Sequence, residues 1–153
     1  MNRAYKIIAY IAISSSLGYI AYEGRGDFMK DFLMNVIPLL TTIFAINMPT
    51  CALIVNELNK LNDKYSDIDV TSVSKELRYS IVIQIVFIGM LICFFILKDF
   101  LLKQECITGN ELLVKYINIG VNSLAIGSFA YFLEIIGDLG KALFKLIHFN
   151  MRE

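Results

Sequence analysis

The residues able to do chemistry are few. Glu134 lies inside an apolar run, after Tyr131-Phe132-Leu133 and before Ile135-Ile136. An ionisable group at membrane depth is costly and by default marks an ion or proton path. Glu134 also lies close to Asp138 and Lys141, so an acid snorkelling to an interface is the competing reading. Lys115 can snorkel in the same way near the start of the same run. His148 is the only histidine, which leaves no local metal site or triad around it. No GxSxG, HExxH, phosphate-loop or paired-cysteine motif is present, so catalysis and a bound cofactor or metal are not expected. Cys51 and Cys93 fall in apolar runs and read as small core residues, while Cys106 falls in a polar loop without a disulfide partner.

Two helical faces carry the remaining polar and small residues. Gly120, Ser123, Gly127, Ala130, Glu134 and Gly137 are spaced 3, 4, 3, 4 and 3. At about 100° per residue they fill one arc of a helix. Small residues on one face let membrane helices approach closely, so a packing seam, including one between copies, is one reading. A pore or cavity lining with Glu134 at its mouth is the other. Asn118 and Asn122 lie on a different face and are expected to bond across to another helix. The second face is Asn35, Pro38, Thr42, Ala45 and Pro49. Each proline removes a backbone hydrogen bond and bends the helix, and such polar, kinked spans line water in channels or sit in plain bundles.

Composition determines what must position these faces. Hydrophobic residues make up 57% of the 153-residue chain and charged ones 18%, below the ~25% of soluble domains. Mean hydropathy is +0.63. So much apolar surface calls for lipid. Acidic and basic residues balance at 14 each, which gives no basic surface for direct nucleic-acid binding. A spanning helix needs ~20 mostly apolar residues. Four runs qualify, at about 5–22, 32–55, 80–97 and 112–136. The expected fold is therefore all-α, a single transmembrane domain formed by an integral membrane four-helix bundle. The basic start Arg3-Ala4-Tyr5-Lys6 has no small-residue cleavage site after it, so the first run reads as an uncleaved span. Placing both termini and the 56–79 loop on one side puts nine lysines and arginines there and five opposite. The positive-inside rule then favours cytoplasmic N- and C-termini.

The cytoplasmic pieces are residues 56–79 and the tail 137–153. Ile54, Leu58, Leu61 and Tyr65 share a face, so the second span is expected to continue as an amphipathic stalk. Ser66-Asp67-Ile68-Asp69 breaks it, and Thr71 or Ser72 can cap a return helix carrying Val73 and Leu77. Together these make a short helical hairpin, with Glu57, Lys60, Lys64 and Asp67 on its polar outer face. Beyond Gly137 and Gly140 an amphipathic C-terminal helix is expected, with Lys141, Lys145, His148 and Arg152 in a narrow arc. That basic arc can meet anionic lipid or a protein partner.

The polar, proline-broken second span, the stalk Asn56-Glu57-Leu58-Asn59-Lys60-Leu61, the return helix Ser74-Lys75-Glu76-Leu77-Arg78-Tyr79 and the basic tail resemble a class of short bacterial membrane proteins from anti-phage loci. The layout is similar to the phage-exclusion protein RexB and to KwaA of Kiwa defence pairs. The resemblance is architectural and carries no site residues over. It implies a multi-pass protein of the bacterial inner membrane in an anti-phage role; the small and amide residues of the spans call for a homo-oligomer (tetramer or dimer), and the cytoplasmic hairpin and basic tail for a soluble cytoplasmic effector protein as partner. A membrane-depolarising ion conductor and an immunity protein against a pore-forming toxin are the alternatives.

Overall fold

A computed structural model describes residues 3–24, 27–64 and 70–150, and the side chains of all of these except 3, 4, 6, 7, 64, 70, 105, 106 and 145–150. The described chain is helical and contains no strand. In order it forms α1 (Arg3–Glu23), α2 (Asp27–Lys64), α3 (Val70–Leu101), the short α4 (Glu105–Thr108) and α5 (Glu111–Asn150). Three of these are long and apolar enough to cross a membrane, over Asp27–Asp63, Thr71–Leu101 and Glu111–Phe144. The protein is a membrane protein of helical construction.

Local chemistry explains the helix ends. Gly24 closes α1, its N–H donating to the Ile20 carbonyl at 2.9 Å. Asn110 caps α5: its Oδ1 accepts from the Leu113 N–H at 3.3 Å, satisfying a first-turn donor that has no partner within the helix. Glu111 follows in the first turn, where a carboxylate complements the positive end of the helix dipole. Lys98 sits in the last turn of α3, where a cation does the same for exposed carbonyls. The short α4 lies in a stretch that the sequence reads only as a loop.

Two continuities go beyond the sequence pattern. α2 runs unbroken through Pro38 and Pro49, and α5 runs unbroken through Gly137 and Gly140. The expected last span and amphipathic tail are therefore one 40-residue helix. A glycine costs a helix only ~1 kcal/mol relative to alanine. Here Leu139, between the two glycines, is buried, which outweighs that preference.

Packing divides the chain into two compact units. The first comprises residues 1–39 and 87–131, and the second residues 40–86 and 132–153. In the first, Met29, Val36, Leu91, Val121 and Ala125 are buried, with Ser14, Asn122 and Ser128 as buried polar side chains. Aromatic rings add to it. Phe32 meets Phe129 edge-on at 5.6 Å and stacks with Phe28 at 6.3 Å, and Phe87 meets Tyr131 at 5.1 Å. In the second, Leu40, Cys51, Ile54, Leu61, Phe132, Ile135 and Leu139 are buried, with Asn47 and Gln84.

Candidate functional site

The small-residue face of α5 has two fates. Ser123 and Gly127 lie against α1, opposite Gly18 and Ser14. The order is antiparallel, since the earlier residue on α1 meets the later one on α5. A Cβ placed on Gly18 would collide with Ser123 Oγ and lie 2.8 Å from the Ser123 backbone nitrogen. A Cβ on Gly127 would lie 2.9 Å from Ser14 Oγ. Each helix thus offers two small residues four apart, the spacing that lets backbones approach without an intervening side chain. Ser123 Oγ is satisfied within its own helix, donating to the Ile119 carbonyl at 2.7 Å. Gly120 and Gly137 face open space, with no atom within 4 Å of a built Cβ. Ala130 is half-buried, as is Glu134, which belongs to the second unit.

Apart from Asn122, the buried residues of α5 lie on another face of the helix. Val121, Ala125 and Ser128 in the first unit, then Phe132, Ile135 and Leu139 in the second, follow a spacing of 4, 3, 4, 3 and 4. That face is roughly opposite the small-residue face at about 100° per residue. Among the described residues Ser128 Oγ has no hydrogen-bond partner, although it is buried.

A second contact joins α1 to the start of α5. Lys115 Nζ lies 2.5 Å from Glu23 Oε1 and sits over the rings of Tyr19 and Tyr22, at 5.2 and 5.6 Å from their centroids. A cation over two aromatic faces with a carboxylate beside it is held by charge and by the ring quadrupoles together. The sequence placed Lys115 at an interface without a partner. The partner is 92 residues away in sequence and becomes visible only when α1 and α5 are packed.

The second unit holds a buried amide pair that sequence inspection did not single out. Asn47 Nδ2 on α2 donates to Gln84 Oε1 on α3 at 3.0 Å, and Gln84 Nε2 approaches the Ser80 carbonyl at 3.4 Å. Both side chains are buried. The only available signal was that each amide lies in an apolar run, where lipid offers it no hydrogen bond.

The polar face of α2 points away from the core. Asn35, Pro38, Thr42, Ala45 and Pro49 are each exposed. Asn35 Nδ2 donates to the Asp31 carbonyl at 2.8 Å, and Thr50 Oγ1 to the Ile46 carbonyl at 2.8 Å, so polar side chains on this helix bond back to its own backbone. Cys51 is buried, and Cys93 is exposed on α3 instead of lying in the core.

On the expected partner surface, Lys60 pairs with Glu57 at 2.6 Å and Lys141 with Asp138 at 3.2 Å. Both pairs lie one turn apart on a single helix and are solvent-exposed, so they stabilise little. Leu61, next to the first pair on α2, is buried and Leu77 on α3 is half-buried, while Val73 is exposed. Asp67 and Arg152, and the side chains of Lys64, Lys145, His148 and Cys106, lie outside the described residues. Among the described residues no group of three or more histidine, cysteine, aspartate or glutamate side chains could hold a metal ion. No protein family, curated protein or solved structure matches the chain.

Proposed function

We propose that the chain is a non-enzymatic inner-membrane subunit of a bacterial anti-phage system, a homo-oligomeric sensor or scaffold that recruits a soluble cytoplasmic effector. The observation that carries this reading is surplus helix length. α2 has 38 residues and α5 has 40, which at ~1.5 Å per residue makes them roughly 57 and 60 Å long. The hydrocarbon core is ~30 Å thick, and spanning helices tilt by ~40° at most. Even at that tilt the two helices span roughly 44 and 46 Å, so each extends past the hydrocarbon core. At the end of α2, Asn56, Asn59, Lys60, Asn62 and Asp63 are exposed beside buried Ile54 and Leu61. That is the pattern of a water-facing stalk. In the same reading α1, 21 residues and about 31 Å long, is the first of four spans. The nine-to-five split of basic residues sets both termini in the cytoplasm.

Two measurements test this. Reporter fusions after Arg25 or Lys103 should read periplasmic, and fusions after Asp67 or Glu153 cytoplasmic. A tagged chain should recover a soluble protein at a fixed ratio from its own host. Reversing Lys141 and Lys145 to Glu, or scrambling residues 62–72, should abolish that recovery without affecting insertion. If recovery survives both changes, the scaffold reading fails and an ion-conducting effector becomes the better account.

A further inference from the structure

Two apolar grooves on the described surface lie in the first unit. The larger, about 460 Å³, runs among α1, α2 and α5 past Leu17, Phe28 and Phe129. Its lining is apolar throughout and contains no charge to select an occupant. The smaller, about 160 Å³, lies between α3 and α5 and differs in one respect. Phe94, Leu97, Leu101, Gly120 and Val121 line its apolar length, and Lys98 and Tyr116 stand in the half nearer the end of α3 and the start of α5.

We propose that the α3–α5 groove holds an acyl chain of a membrane phospholipid whose anionic headgroup rests on the Lys98 ammonium. The groove is amphipathic in the same sense as a lipid. Its one charged lining residue lies in the last turn of α3, where the apolar span gives way to Lys98-Asp99. From Leu101 back to Phe94 it extends about 10 Å along the helix, toward the middle of the span. A chain laid in it runs parallel to the helix, as a phospholipid tail does. Gly120 keeps the groove open, because no atom lies within 4 Å of the place a Cβ would occupy. Tyr116 is exposed in the same half of the groove, the level at which tyrosine favours the membrane–water interface. Lys98 takes part in no ion pair among the described residues, whereas Lys60, Lys115 and Lys141 each do. A helix of a second copy is ~10–12 Å across and cannot enter a space of this volume, whereas a single hydrocarbon chain can.

The test is native mass spectrometry of the full chain in mild detergent, with phosphatidylglycerol or phosphatidylcholine of identical acyl chains added. The wild type should retain the first phosphatidylglycerol several-fold more than phosphatidylcholine. Lys98→Gln should equalise the two. Lys103→Gln, a change at an exposed lysine outside the groove, should leave the preference intact. Gly120→Leu should fill the groove and diminish both adducts, with helix content by circular dichroism unchanged. An undiminished anionic preference in Lys98→Gln, or undiminished adducts in Gly120→Leu, overturns the proposal. So does a Gly120→Leu variant that changes oligomeric mass while keeping its lipid, since a second copy would then be the occupant.

Discussion

Gly18 on α1 meets Ser123 on α5 with no room for a side chain between them, although 105 residues separate the two in sequence. A valine at position 18 must push against backbone atoms as well as a rotatable hydroxyl. Overpacking of this kind costs ~1–3 kcal/mol. Gly18→Val should therefore lower the thermal midpoint in detergent. Gly120→Ala, which enters open space, should leave it unchanged or raise it slightly through helix propensity, by up to ~1 kcal/mol. Equal midpoints for the two variants would show that α1 does not pack on this face.

The same seam predicts a cross-link. A Cβ at position 127 would lie 3.4 Å from the Ser14 Cβ, close to the ~3.5–4.5 Å of disulfides. In a background where Cys51, Cys93 and Cys106 are serine, Ser14→Cys with Gly127→Cys should oxidise within one chain. Peptide mapping after proteolysis would identify the bond. A covalent dimer on a non-reducing gel, in place of the internal bond, would mean that Gly127 faces another copy.

Asn47 and Gln84 should be energetically coupled. Replacing one partner leaves a buried amide without its hydrogen bond, at ~1–3 kcal/mol, whereas replacing both removes the unmet need. Asn47→Leu and Gln84→Leu should each destabilise, and the double variant should lose clearly less than the sum of the two. Simple additivity in denaturation measurements would show that the pair contributes no cross-helix bond.

The Lys115 contact should depend on charge in a specific order. Lys115→Glu sets two carboxylates together and places one over two ring faces, so the thermal midpoint should fall. Adding Glu23→Lys restores opposite charges but leaves no cation at position 115 over Tyr19 and Tyr22. Recovery should be partial. Full recovery would assign the whole effect to the ion pair, and no change in either variant would remove the contact from the account of how α1 is held.

The helical class and the membrane setting were legible in the residues themselves. Runs such as Ile81-Val82-Ile83 and Leu91-Ile92-Cys93-Phe94-Phe95, with few charges, admit little else. The end of α1 at Gly24 and the start of α5 after Asn110 were also written locally, because a cap or a closing glycine acts within one turn. The small-residue arc on α5 was visible as a spacing, but that spacing does not say which helix it meets.

Which apolar side of each helix is inside follows from packing alone. In a water-soluble helix the polar face marks the outside. In a membrane helix the lipid-facing and the packed faces are both apolar, so periodicity loses that information. α3 makes the point: Leu91 is buried, while Ile92, Phe94 and Ile96 beside it are exposed. The pairing of Asn47 with Gln84, of Lys115 with Glu23 and of Gly18 with Ser123 depends on contacts across 37, 92 and 105 residues. Local propensity determined the helices, and close packing between surfaces of nearly identical polarity determined which of them meet.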